Sequence, residues 1–362
     1  MDGEEGEEEN MKKYLFILLI FPLLTSCVEQ QVIDKLNIET AQGYDLAENK
    51  HLRGTLLFVK YLPDKTVQNR TLSATAKTNQ DVLTDLERRS SDPLVTGGVG
   101  VVLFGEELAK HGFVKLVDSL QRDPNIGSRL FVAITEGKAE DVLNGNYGFE
   151  GNSTYIRDLL THNMKNRDIP KVNLHLFASF YAEEGRDAYL PVLEKVNDID
   201  LNISGMAIFK NNKIVKKVDE KNLFHFKLLV DKYSEGTKTV EIGKNNAVVR
   251  SIHSKNKIKI KKNPLEAIVY IKVNAIVREY SGRKVTTKVV KRLEKQMEED
   301  IKKECLHMLK DFQRHGIDPV GFGLRVKNNT RGFDFNKWKD EYKTMKIKII
   351  PKVTIMESGT VQ

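Results

Sequence analysis

Between Val285 and Phe312 the apolar residues Val285, Val289, Leu293, Met297, Ile301, Cys305, Leu309 and Phe312 recur every three or four positions, with charged residues opposite. That spacing predicts one long helix with a single apolar stripe, and a stripe of this length must pack across a sheet. Gly316, Ile317 and Pro319 read as its stop, a left-handed residue followed by a hydrophobic contact. The partner strands are legible from residue 238 onward as TVEIG, NAVVRSIHS, NKIKIKK and LEAIVYIKVNAIVREY, with MKIKIIPKVTIM alternating as a last strand. The expectation for 238–362 is therefore an antiparallel sheet packed on one long helix. Cys305 lies on the stripe, which makes it a small core residue and not a redox or metal group. Lys257, Lys259 and Lys261 alternate with Ile258 and Ile260. Lysines in that pattern protect a sheet edge from pairing with another chain.

Upstream the pattern changes. Short apolar runs at 28–60 read as strands, and TNQDVLTDLERRSSDP predicts a short helix capped by Asn79 and stopped by Pro93. VGVVLFGEELAKHGF is a strand followed by a helix, and RLFVAITEG with KAEDVLNG repeats the alternation, which favours a parallel sheet. Further helices are expected at Ser153–Asn166 and Leu174–Glu184. Residues 201–218 predict a hairpin turning at Asn211-Asn212, with Asp219 capping a helix that runs through Lys232. The fold class is mixed α+β in three parts: an N-terminal α/β-like domain at 27–200, a small middle unit at 201–237, and the sheet-plus-long-helix domain at 238–362.

Residues 1–26 stand apart. Lys12 and Lys13 precede the apolar run Tyr14–Leu24, 11 residues interrupted by Pro22, short of the roughly 20 that a spanning helix requires. Basic start, apolar run and small residues together read as a secretory signal. Leu24, Thr25 and Ser26 lead into Cys27, and LTSC resembles the lipobox of bacterial lipoproteins. The resemblance implies a diacylglyceryl group on the Cys27 sulfur and cleavage before it; a thiol is required there because its thiolate is the nucleophile. The acidic prefix MDGEEGEEEN opposes the charge that signals carry. The expected start is accordingly Met11.

Residues 27–362 carry 56 Lys and Arg against 44 Asp and Glu, and residues 251–362 alone carry 26 against 13. The excess positive charge thus lies in the last third, where it suits an anionic membrane surface. An exported lipoprotein has little access to nucleic acid, the rival partner. Chemistry finds little support. The eight histidines form no HExxH pair, the two cysteines make no zinc cluster, and Gly98-Val99-Gly100 lacks the third glycine of a dinucleotide loop. Ser254–Lys257 and Ser281–Lys284 match SxxK without its companion motifs. No enzyme, cofactor or metal is expected.

The lipobox at Cys27, the VLFGEELAKHGFVKLVDSLQRDPNIG block, the ISGMAIFKNNKIV hairpin and the long helix after RKVTTKVV together resemble the Ger(x)C family of spore germination lipoproteins. The likeness spans about 11–362, with Val28-Glu29 standing where many members have Trp-Asp. It implies the C subunit of a nutrient germinant receptor in a spore-forming Gram-positive bacterium. Such a subunit is held by lipid on the outer face of the spore inner membrane beside membrane-embedded A and B subunits. The alternative is a solute-binding lipoprotein of a transporter, which calls for two similar lobes around a cleft.

Overall fold

The computed structural model describes residues 36–62, 66–127, 129–231 and 236–356. The chain enters a mixed sheet through β1 (Asn37–Leu46), turns back as β2 (Leu52–Tyr61) and again as β3 (Val67–Ala76). Helix α1 (Asn79–Arg89) packs Val82 and Leu86 on Leu56, Phe58 and Ala74. Its cap is Thr78 and not Asn79, with the Thr78 hydroxyl accepting from Asp81 N–H at 3.1 Å.

After the two-residue β4 (Leu94–Val95) come β5 (Val101–Gly105), α2 (Glu106–His111), α3 (Val114–Arg122), β6 (Phe131–Thr135), α4 (Ala139–Leu143), α5 (Asn152–Asn166), α6 (Leu174–Ala182) and β7 (Tyr189–Lys195). Strands β1, β5, β6 and β7 run parallel. VVLFG is buried at all five positions, as a strand covered on both faces must be.

The expected hairpin follows as β8 (Leu201–Lys210) and β9 (Lys213–Asp219), turning at Asn211 (φ 50°) and Asn212 (φ 68°). β8 pairs antiparallel onto β7 and β9 onto β8, which extends the first sheet to the order β3-β2-β1-β5-β6-β7-β8-β9, with β4 also on β1. Asn212 has a second task. Its Oδ1 accepts from the N–H groups of Phe113 and Val114, at 2.9 and 2.7 Å, at the start of α3.

Asp219 leads into a single 3-10 turn without capping it through its side chain. The helix beyond it, α7 (Leu223–Val230), is buried from Leu223 to Leu229. Asn256 closes its C-terminal end, donating to the carbonyls of Leu228, Leu229 and Asp231 at 2.9–3.0 Å.

The second sheet has the order β10-β11-β12-β13. In it β10 (Gly236–Ile242), β11 (Asn245–Lys262) and β12 (Leu265–Tyr280) form an antiparallel meander. NAVVRSIHS and NKIKIKK are one 18-residue strand with bulges. Lys257, Lys259 and Lys261 are exposed on the part of β11 that extends past β10, the unprotected edge that lysines suit.

The long helix α8 (Thr287–His315) is capped by Thr286 and ended by Gly316 at φ 63°, with Ile317 N–H returning to the Phe312 carbonyl. Leu293, Met297, Ile301, Cys305, Leu309 and Phe312 are all buried. Two short helices follow, α9 (Phe322–Asn328) and α10 (Phe335–Thr344), and then β13 (Lys346–Ile355). β13 pairs parallel to β12 and not antiparallel, because α8 carries the chain back along the sheet before the last strand begins.

Candidate functional site

The expected lipid-attachment residue Cys27 and its lipobox residues Leu24, Thr25 and Ser26 lie outside the described residues. The described chain begins immediately before β1, and Asn37 lies ten positions after Cys27, a reach of at most about 35 Å when fully extended. Among the described residues no helix is long and apolar enough to cross a membrane.

The candidate nucleophiles are not assembled for catalysis. Ser254 and Lys257 both lie on β11, three residues apart, so their side chains leave opposite faces of the strand. The Ser281 hydroxyl accepts from Asn246 N–H at 2.8 Å and ties the β10–β11 turn to the end of β12. Gly98 ends a single 3-10 turn before β5 and opens no helix. Cys305 is fully buried, and burial pushes its thiol far up from the ordinary range, where no reactive thiolate forms. Among the described residues no group of three His, Cys, Asp or Glu side chains is placed to hold a metal ion. One open depression of about 500 Å³ lies between the β11–β12 turn and α10, lined by Lys262, Leu265, Phe333, Lys337 and Met345. It belongs to the second sheet alone and is no cleft between like lobes.

The polar groups the fold does assemble lie where the two sheets meet. The segment ahead of β7 and the segment after α8 are clasped by three hydrogen bonds, and a fourth braces the second segment from α10. Leu324 N–H donates to the Gly185 carbonyl at 2.9 Å, and Asp187 N–H donates to the Asp318 carbonyl at 3.0 Å. Asp318 N–H donates to Asp187 Oδ2 at 2.6 Å, and the Tyr342 hydroxyl closes on the Ile317 carbonyl at 2.7 Å. The Asp318 carboxylate accepts from Gly321 and Gly323 N–H groups at 2.9 and 2.8 Å. Burial nevertheless pushes its pKa up to about 7, against those hydrogen bonds and with help from the Asp187 charge. Burial likewise raises Asp187. Beside the pair the Arg186 guanidinium stacks 3.5 Å above the Phe180 ring.

A second set of contacts fixes α7 between the sheets. His225, 1% exposed, meets Asp300 of α8 at 3.1 Å, and Lys238 of β10 approaches the same carboxylate at 3.5 Å. The hydrogen bond from His225 holds Asp300 below the usual carboxylate range. Lys227 is buried with its ammonium on the Met164 and Arg167 carbonyls at the end of α5, a placement that complements the helix dipole. Asp168 next to it is pushed up to about 6 by burial, against the pull of the Lys227 charge. From the other side Lys216 pairs with Asp311 at 2.8 Å, and Lys210 donates to the Gly316 carbonyl.

These contacts tie the two sheets to one another through α7, α8 and the segment that follows α8. Residues 29–195 match the family described as "Spore germination protein N-terminal domain", and residues 204–359 match "Spore germination B3/ GerAC like, C-terminal". The chain belongs to the Ger(x)C family of spore germination proteins. The family is one of spore germination proteins and not of enzymes.

Relatives within it align end to end. The spore germination protein GerQC of Bacillus cereus is 30% identical over 360 residues, covering 97% of this chain and 100% of that one. YfkR of Bacillus subtilis (strain 168) is 23% identical over 388 residues, covering 97% and 98%. The crystal structure of the GerBC protein superposes with a TM-score of 0.60 at 16% identity, over 88% of this chain and 98% of that one, and so shares the fold. Sequence reasoning found the family through the lipobox, the VLFGEELAKHGFVKLVDSLQRDPNIG block, the hairpin and the long helix. It missed Asp187 and Asp318, which are 131 residues apart and carry no local signal.

Proposed function

We propose that this Ger(x)C protein is the C subunit of a spore nutrient germinant receptor. In this reading it is lipid-anchored through Cys27 on the outer face of the spore inner membrane and stabilises or assembles the receptor's A and B membrane subunits. The observation that carries the reading is the ordered match of both family domains across 29–195 and 204–359. The anchor reading is supported by LTSC placed directly after an apolar run with a basic start. A lipid tether confines the folded body to the membrane plane, which raises its effective concentration beside membrane-embedded partners without any new contact.

The test is affinity purification of the tagged full chain from detergent-solubilised spore membranes, in wild type and Cys27→Ala. Recovery of A-type and B-type subunits with the wild type, and a severalfold fall in membrane-bound protein and in recovered subunits for Cys27→Ala, is the expected outcome. Equal membrane retention of the two proteins would remove the tether from the account. Recovery of transporter ATPase components instead would favour a solute-binding lipoprotein.

A further inference from the structure

Phe149 is 98% exposed. Its loop, between α4 and α5, is nonetheless held from beneath. Asn152, fully buried, donates through its amide to the Leu143 and Gly145 carbonyls at 2.9 and 2.7 Å and accepts from Tyr147 N–H at 2.8 Å. Tyr147, buried under the loop, stacks on Tyr155 with ring centroids 5.4 Å apart. The aromatic ring of Phe149 is thus presented outward by a pinned loop.

A second pinned loop lies against the first. Asn146 N–H donates to the Asp198 carbonyl at 2.7 Å, and Asn197 Oδ1 accepts from the N–H groups of Ile199 and Asp200 at 2.9 Å each. This β7–β8 loop exposes Val196 (59%) and Ile199 (61%). A groove of about 350 Å³ opens beside Phe149, with Tyr155, Leu159 and His162 among its walls. Three exposed apolar side chains on two braced loops, with a groove alongside, are the makings of an interface centre, where aromatic anchors carry most of the binding energy.

The charge around them narrows the occupant. Arg157 and Lys195 are paired with Asp158 at 3.1 Å and Asp198 at 2.8 Å, which leaves Glu150 and Asp200 without a cationic partner among the described residues. An acidic rim repels an anionic bilayer and complements a basic one on a protein. We infer that the Phe149 loop and the Val196–Ile199 loop form the docking surface for a membrane subunit of the receptor, inserting Phe149 into an apolar pocket with a Lys- or Arg-bearing rim. The inference takes the partner's identity from the receptor-subunit reading and adds the surface.

The experiment compares tagged full-length wild type, Phe149→Ala and Ile350→Ala, purified from detergent-solubilised spore membranes. Ile350 is 44% exposed on β13 and serves as the matched control. Phe149→Ala should lower recovery of the A-type or B-type subunit by roughly tenfold, with Ile350→Ala at the wild-type level and the circular dichroism of all three alike. Equal recovery with Phe149→Ala overturns the surface and leaves the receptor reading standing. No subunit recovered even with wild type removes that reading and this inference together. If Phe149→Ala keeps its subunits but loses binding to phosphatidylglycerol vesicles, the occupant is a bilayer and the inference fails.

Discussion

Asp318 carries an ionisation that works against the fold. Its folded pKa of about 7 lies above the ordinary carboxylate value of 3.8 because burial penalises the charge. Between about pH 4 and pH 7 the folded chain therefore holds a proton that the unfolded chain has released, and this group's contribution to stability falls as pH rises across that window. Asp318→Asn removes the titration. The deficit in thermal midpoint of the variant relative to wild type should be larger at pH 5 than at pH 8, as measured by differential scanning fluorimetry. A deficit that widens at pH 8 would mean that the carboxylate held by Gly321 and Gly323 is the form the fold prefers. Legibility at this scale followed sequence distance. Cys305 was readable as a core residue because its neighbours on the stripe are three or four residues away. The Asn212 cap on α3 was not, because the atoms that meet are about 100 residues apart.

Besides the continuous apolar runs of β5 and β6, the elements that the sequence announced are those whose burial is one-sided. Helix α8, the β8–β9 hairpin and β10 to β13 each show an apolar face at its own period. Strand β3, VQNRTLSATA, gave no signal because it is a polar edge strand with only Ala74 fully buried. Strand β7 contains Pro191, which argues against a central strand. β6 pairs only with Val192 and Leu193, so the proline sits where β7 has one neighbour and its missing N–H costs no ladder bond. In the second sheet the β13 edge is closed by α8. Glu298 accepts from Val353 N–H and Glu294 from Ile355 N–H, each at 2.9 Å, while Pro351 has no N–H to offer. Glu294→Ala and Glu298→Ala should each cost about 1–3 kcal/mol, and the Gln variants, which keep an acceptor, clearly less, as read from urea unfolding. Equal losses for Ala and Gln would show that water satisfies those amides.

Across the whole molecule one buried apolar cluster runs from Ala41 to Ile355 and takes in both sheets. Gly185 is the point of closest approach in the clasp. It adopts φ 85°, and a Cβ there would lie 2.5 Å from Leu324 N and 2.6 Å from the Gly323 carbonyl carbon. Gly185→Val must push the two segments apart. Calorimetry should show one transition for wild type and a broadened or split one for the variant, whereas a single sharp transition for both would locate the coupling in α7 and α8 instead. The position of β1 has a mechanical consequence. It lies inside the sheet, antiparallel to β2 on one side and parallel to β5 on the other. A pull on the chain ahead of Asn37 therefore acts along the strand axis and loads both hydrogen-bond ladders in shear at once, where an edge strand would peel away bond by bond. Under the proposed Cys27 anchor, a body hung from that end would resist being dragged open by its own leash.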